Sequence, residues 1–522
     1  MRTKQLALIT FVLMATSTSG QLINPASMRQ YTTPTSYSEI TAFVKQAGTS
    51  PLLDVRTIGS SVEGRDIYAL CFSETEFGKD PSKAKVLIFA QQHGNEQSGK
   101  EAVLLLTSEL LKEENKYLLK RLDIALIPQV NPDGSETNKR RNANDVDLNR
   151  NHLILNQPET MALHKFFDDF LFHATVDVHE YSPYGESWEK YGFRKNASVT
   201  LGALTNPNIN PRLLKVTNND ALPTVLRFIT ERGFSSAVYT PGGPPGVDYI
   251  RHSTFDINDG RQSFGIQNTF SFIQEGMNGT DTYVKNLAHR AAGQLAGLQG
   301  FLNYLYENHE MVINIVNQSR AGLLKNGPGY KMDNSPADRS LPGSWESVTI
   351  QAEHVNDGRI LQLPVVKFSS PLYDTYEKLV MVKDYRSTVK SLLDVTLPYG
   401  YLIPVADDKL MDWIKRLDLI TEKPGSLASS KDKENTFSLE EYAIEGVDSV
   451  DFERDIIAVA RVKTNKAVDV ILENYLLVPT AQLKGLLVVQ ALEPQSMLGL
   501  PTYEEFRYLM SQSKYPVIRV CL

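Results

Sequence analysis

From residue 64 the chain alternates short apolar runs with stretches whose apolar positions recur every three or four residues. The runs are GRDIYALCF, KVLIFAQQ, DIALIPQV, ATVDVHE and FSFIQE. Between them, helical spacing covers Ser98 to Lys112, Pro158 to Phe170, Asn219 to Arg232 and Asp281 to about Glu307. Strand and helix taking turns predict an α/β fold, with a mixed, mostly parallel sheet flanked by helices. Sites in such sheets form beyond the carboxyl ends of the strands. His93, Asn131, His179 and Glu275 follow or close those runs and are the residues to examine first.

The pattern changes after residue 325. A stretch rich in Gly, Pro, Ser and Asp, NGPGYKMDNSPADRSLPGSW (326 to 345), predicts a loop and a domain boundary. Beyond it, alternating runs such as ESVTIQAEHV and ILQLPVVKF mix with helical spacing at Asp407 to Arg416 and Tyr503 to Ser511. This predicts a smaller α+β accessory domain over 326 to 522, interrupted by a polar loop, SLASSKDKENTFS (426 to 438), and carrying no catalytic constellation. At the other end, Arg2 and Lys4 precede the apolar stretch LALITFVLMA and the small residues TSTSG. Residues 1 to 20 therefore read as a secretory signal peptide, too short in its apolar part for a comfortable membrane span. The expectation is a secreted or periplasmic protein without a stable membrane anchor, with its main domain over 21 to 325.

Composition narrows the functional classes. A chain of 522 residues with a net charge of -7 has ample length for a large core and no overall basic excess for nucleic acid. Two cysteines, Cys71 and Cys521, exclude a disulfide framework and a cysteine-rich metal site; the simpler expectation is two unpaired thiols.

The chemistry concentrates at strand ends. His93 and Glu96 lie three residues apart in HGNEQSG, and His179 ends a later apolar run. Two imidazoles and a carboxylate, with a fourth position left for water or substrate, form the ligand set of a catalytic zinc site. A rival motif overlaps them, since Gly94 to Lys100 matches the first seven positions of a phosphate-binding P-loop. Glu101 decides against it, because it stands where a Ser or Thr hydroxyl should reach magnesium. Downstream, NPDGSETNKRRNANDVDLNRNH (131 to 152) brings Arg140, Arg141, Asn149 and Arg150. Guanidinium forks and amide donors suit a substrate carboxylate or a developing oxyanion. A carboxylate outside the metal set is needed as general base. Glu275 is the leading candidate, because alternation along a strand turns Glu180 away from its neighbour His179.

HGNE, NPDG, R-x-NAN-x-VDLNRN, VDVHE and the later FSFIQE occur in this order, which resembles the zinc metallocarboxypeptidases, or funnelins, over roughly residues 35 to 310. The resemblance implies a zinc carboxypeptidase-like fold holding one zinc ion per chain on His93, Glu96 and His179. It implies Asn149 and Arg150 as the grip on the substrate's terminal carboxylate, Arg140 (or its neighbour Arg141) polarising the scissile carbonyl, and Glu275 as general base. In the loop 241 to 262, Tyr249, or Tyr239 just upstream, takes the place of a tyrosine that closes over substrate. Asp248, Arg251, Asp256, Asp259 and Arg261 give that loop both signs of charge, so the preferred end residue stays open. The implied substrate is a peptide or amide with a free C-terminal carboxylate. A zinc amidohydrolase acting on N-acyl amino acids or cell-wall peptides, and a non-catalytic peptide-binding relative, are the alternatives.

Overall fold

The computed structural model describes residues 22–183, 185–278, 286–325, 347–368, 375–425 and 437–521. The expected signal segment 1–20, the loop 326–345, the start of the helix expected from Asp281, and most of the polar insert 426–438 lie outside the described residues.

Ten strands form in the first part: β1 (Leu53–Ser60), β2 (Asp66–Phe72), β3 (Ala84–Ala90), β4 (Leu122–Ile127), β5 (Ala174–Tyr181), β6 (Phe193–Lys195), β7 (Val199–Gly202), β8 (Ser236–Val238), β9 (Ile250–Arg251) and β10 (Phe270–Met277). Eight of them build one sheet in the order β1, β2, β4, β3, β5, β10, β7, β8. The central pairings β4/β3, β3/β5 and β5/β10 are parallel, as is β7/β8, whereas β1/β2, β2/β4 and β10/β7 are antiparallel. Every residue of β4, and all but one of β3 and β5, is buried. Their continuous apolar runs, rather than alternating ones, are what a sheet covered on both faces requires.

The helices Gln97–Leu110, Pro158–Phe170 and Leu287–Glu307 match the periodicity read from the sequence within a residue or two over the described residues. The helix expected over Asn219 to Arg232 is Leu222–Glu231, entered through a π turn at Thr217–Ala221. Pro223, which lacks an N–H, sits just after the π turn, where the regular helical hydrogen-bond ladder is already interrupted.

Ten more strands follow: β11 (Ser347–Val355), β12 (Leu361–Phe368), β13 (Thr375–Val382), β14 (Tyr385–Arg386), β15 (Thr388–Thr396), β16 (Gly400–Pro404), β17 (Ser438–Phe452), β18 (Asp455–Lys466), β19 (Tyr475–Pro479) and β20 (Ile518–Cys521). The helix Asp408–Arg416 is present as expected, whereas Tyr503 to Ser511 forms a 3-10 stretch, Glu504–Met510. This part does not stand apart from the first. β6 joins the β12/β13 sheet, β9 pairs with β14, and one buried apolar cluster includes both Val176 of β5 and Trp413, Leu487 and Val517. Cys71 and Cys521 are both free thiols.

Candidate metal centre

Two glycine motifs explain how the loop after β3 is held. A Cβ on Gly94 would fall 2.0 Å from the backbone carbon of Gly134, so HGNE and NPDG pack backbone against backbone. Asn131 caps the short helix Pro132–Glu136 by accepting from the Gly134 N–H, and its Nδ2 donates to the Gln92 carbonyl. The P-loop-like residues are occupied elsewhere. Lys100 Nζ donates to Thr35 O, Gln97 Oε1 and Ser135 Oγ, and the Glu101 carboxylate accepts from Asn24 and Thr35, all of it buried.

His93, Glu96 and His179 converge, with one ligand atom from each lying within 4.8 Å of the others. His93 Nδ1 is 2.8 Å from Glu96 Oε1, His179 Nδ1 is 3.0 Å from Glu96 Oε2, and the two Nδ1 atoms are 3.1 Å apart. Each opposite nitrogen faces an aspartate: His93 Nε2 lies 3.0 Å from Asp147 Oδ1, and His179 Nε2 lies 2.8 Å from Asp177 Oδ1. A carboxylate beside Nε2 favours the proton there and leaves Nδ1 free for a cation, the arrangement that carboxylate partners give metal-bound histidines. Three lone-pair donors facing one another in a buried space fit a cation. Burial by itself would raise the Glu96 pKa, but His93 and His179 hold it below the usual carboxylate range. Burial likewise disfavours imidazolium at His179, yet Asp177 and Glu96 keep its pKa well above the ordinary value.

Glu275 on β10 pairs in register with His179 on β5, and on its other side with Thr200 on β7. Residues in register share a sheet face, so this carboxylate stands beside the cluster without being one of its three donors. Burial, assisted by Glu96 and opposed by His179, pushes its pKa up to about 7. Glu180 goes to the opposite face, where Ser98 Oγ and the Arg290 guanidinium donate to it.

Of the two candidate arginines, Arg140 reaches the cluster: Nη1 is 3.4 Å from Glu96 Oε1, and Nε donates to Asp147 Oδ2 at 3.1 Å. Arg141 turns outward and donates to the Asp145 carbonyl. Asn149 Oδ1 accepts from the Gly260 N–H at 2.8 Å and from Gln92 Nε2 at 3.3 Å, leaving its Nδ2 as a donor. Arg150 lies in the field of Asp256, Asp147 and Asp259.

The guanidinium groups of Arg386 and Arg454 lie over the Tyr249 ring, 3.8 and 4.5 Å from its centroid. The loop is tied there to the later part of the chain, because β9 pairs with β14. Tyr239 is the tyrosine near the chemistry: burial and then the Glu275 charge push its phenol pKa upward, with Arg261 and Arg150 opposing. The mixed charges of the loop are mostly spent in pairs: Asp248 with Arg454, Arg251 with Glu453, and Asp259 with Arg261. Asp256 makes no ion pair among the described residues, and burial pushes its pKa up to about 6 against the pull of Arg150. Sequence reasoning missed Asp147, Asp177 and Gln92 as supports of the cluster. Asp177 carried a signal, since it stands two residues before His179 and alternation puts both on one face.

The mixed sheet thus carries, at its strand ends, a His, Glu, His cluster that could hold a metal ion. Residues 40–225 match the family model for zinc carboxypeptidases, so this part of the chain is similar to enzymes whose metal is zinc. Among curated relatives, carboxypeptidase 2 of Trichophyton rubrum is 25% identical over 263 residues, 49% of this chain and 49% of the relative. Carboxypeptidase 2 of Trichophyton tonsurans is 23% identical over 477 residues, 88% of this chain and 81% of the relative. The chain thus spans about half the length of the first of these relatives and more of the second. A metallo-carboxypeptidase from Burkholderia cenocepacia superposes with a TM-score of 0.42 at 20% identity, covering 53% of this chain and 70% of that one. No helix among the described residues is long and apolar enough to cross a membrane.

Proposed function

We propose that this protein is a zinc-dependent metallocarboxypeptidase, exported by its first 20 residues, that removes the C-terminal residue of a peptide. The observation carrying the reading is the in-register pairing of Glu275 with His179, which sets a high-pKa carboxylate beside a three-donor cluster. His93, Glu96 and His179 would hold the ion. Bound there, zinc supplies a Lewis acid and brings the pKa of water toward ~7. Glu275 accepts the proton of the attacking water and returns it to the leaving amine, a task suited to a base whose pKa lies near neutrality. Arg140 meets the negative charge that grows on the scissile carbonyl oxygen. Asn149 Nδ2 and the Arg150 guanidinium grip the terminal carboxylate, and Tyr239 rather than Tyr249 covers the bound chain end. Residues 21–325 carry the chemistry, and 326–522 form the accessory part.

The test is a mass-spectrometric profile of a peptide mixture incubated with zinc-loaded protein, with Glu275→Gln as control. Stepwise loss of C-terminal residues with the wild type alone is the expected result. Release of amino acids from N-acyl substrates only would transfer the assignment to an amidohydrolase. Retention of peptides with no cleavage would make it a binding protein.

A further inference from the structure

The segment immediately after Arg150 runs through the interior without regular secondary structure: Leu153, Ile154 and Leu155 are buried. Buried backbone polar groups in such a segment need partners from elsewhere. On one side Asn258 serves as the partner, donating from Nδ2 to the Arg150 carbonyl at 2.5 Å and accepting from the Leu153 N–H at 2.7 Å. On the other side the partners come from beyond residue 400. Trp413, fully buried, donates from Nε1 to the Leu153 carbonyl at 3.0 Å, and Arg416 Nη1 donates to the Ile154 carbonyl at 2.9 Å. Glu505 closes the arrangement by accepting from Arg416 Nη2 at 2.8 Å and from Asn156 Nδ2 at 3.2 Å. Tyr503 belongs to the same wall, since its phenol pKa is pushed up by burial and then by the Asp256 charge, with Arg150 opposing.

We propose that Trp413 and Arg416 of the C-terminal part are positioning residues for recognition of the substrate's terminal carboxylate. They fix the backbone of 153 and 154, and with Asn258 they fix the Arg150 main chain from which the guanidinium projects. The accessory part is then the outer half of the recognition site rather than a separate module. This rests on the reading of Asn149 and Arg150 as the carboxylate grip.

Binding without turnover tests it. In the zinc-loaded Glu275→Gln background, calorimetric titration compares an N-acylated dipeptide carrying a free C-terminal carboxylate with the same dipeptide as its C-terminal amide. Trp413→Phe keeps an aromatic ring and removes the Nε1 donor; Arg416→Lys keeps the charge and removes the fork. Each is expected to raise the Kd of the acid about 5- to 10-fold, the value of one hydrogen bond of ~1 to 1.4 kcal/mol, while the Kd of the amide stays within about twofold. Melting temperatures identify any variant that fails to fold, and the other variant then carries the comparison. Equal weakening of acid and amide, or no change in either, overturns the proposal. A parent that binds acid and amide alike removes the carboxylate grip itself, and both readings fall together.

Discussion

His93, His179 and Glu275 stand at or just beyond the ends of three neighbouring strands, whereas Arg150, Asp256 and Tyr249 stand on segments outside the main sheet. The first group is fixed by ladder hydrogen bonds along β3, β5 and β10 and by two aspartates that face the histidine rings. The segments around the second group are braced by side chains from the other end of the chain: Trp413 and Arg416 on the carbonyls of 153 and 154, Glu453 on Arg251 and Arg454 on Asp248. On the proposed reading, the chemistry has a self-contained support, and recognition of the chain end borrows its support from the C-terminal part. A rigid sheet suits donors that must converge on one ion, while loops suit a pocket whose shape sets specificity.

The largest effect should come from removing the proposed base without disturbing either support. Glu275→Gln is expected to lower kcat/KM by about 10²- to 10⁴-fold, with the zinc content of the purified protein unchanged by elemental analysis. A variant that keeps a tenth or more of wild-type activity would mean that some other group takes the proton. Chelation should abolish turnover in the wild type and zinc should restore it, because the donor set is buried and already convergent.

The seam between the two parts is expected to matter next, and unevenly. Arg251 and Glu453 pair at 2.9 Å with side chains 10% and 9% exposed, so Glu453→Ala leaves a buried cation without its partner. Breaking such a pair costs about 3 to 5 kcal/mol. The Asp248 and Arg454 pair is 38% exposed on each side, and Asp248→Ala should cost below ~1 kcal/mol. Chemical denaturation of the two variants compares them directly. Equal losses would mean that the seam is held by packing alone. Between these energies and the smaller ones sits the arginine pair. Arg140→Ala should lower kcat by about 10²-fold or more, while Arg141→Ala, exposed and turned away, should stay within about twofold.

The contrast between the regions also sets how much could be read from the residues. The cluster was legible because its motifs are local: HGNE and NPDG are runs of consecutive residues at strand ends, and each glycine is demanded by close packing, since a Cβ on Gly94 would fall 2.0 Å from the Gly134 carbon and one on Gly134 would fall 2.7 Å from the Arg141 carbonyl oxygen. The strands were legible because buried parallel strands leave continuous apolar runs. Alternation along β5 also separated His179 from Glu180. The surroundings of Tyr249 were not legible, because the loop carrying it pairs with β14, more than 130 residues later, and no local pattern encodes that pairing. Trp413 gave no signal for the same reason: its partner, the Leu153 carbonyl, is a backbone group 260 positions away, identical in kind to every other carbonyl.

A last test asks whether the two regions unfold together. His173, at the start of β5, has its pKa lowered to about 3 by burial and then by Arg320 and Lys85, and its Nδ1 accepts from the Lys85 N–H. His252, between β9 and Asn218, is lowered to about 3 by burial and then by Arg261, with Nε2 2.9 Å from Asn218 Oδ1. Each is neutral in the fold and takes a proton near its ordinary pKa once unfolded. Stability is therefore full above about pH 6.5 and falls as the pH drops from there toward the folded value, by up to ~1.4 kcal/mol per pH unit for each group. One histidine belongs to the main sheet and the other lies where β9 meets the C-terminal part. Since one buried apolar cluster spans both parts, a single melting transition is expected, and His173→Gln and His252→Gln should each flatten its acid slope. Two transitions, with each substitution acting on a different one, would show that the seam holds the recognition loops without joining the two cores.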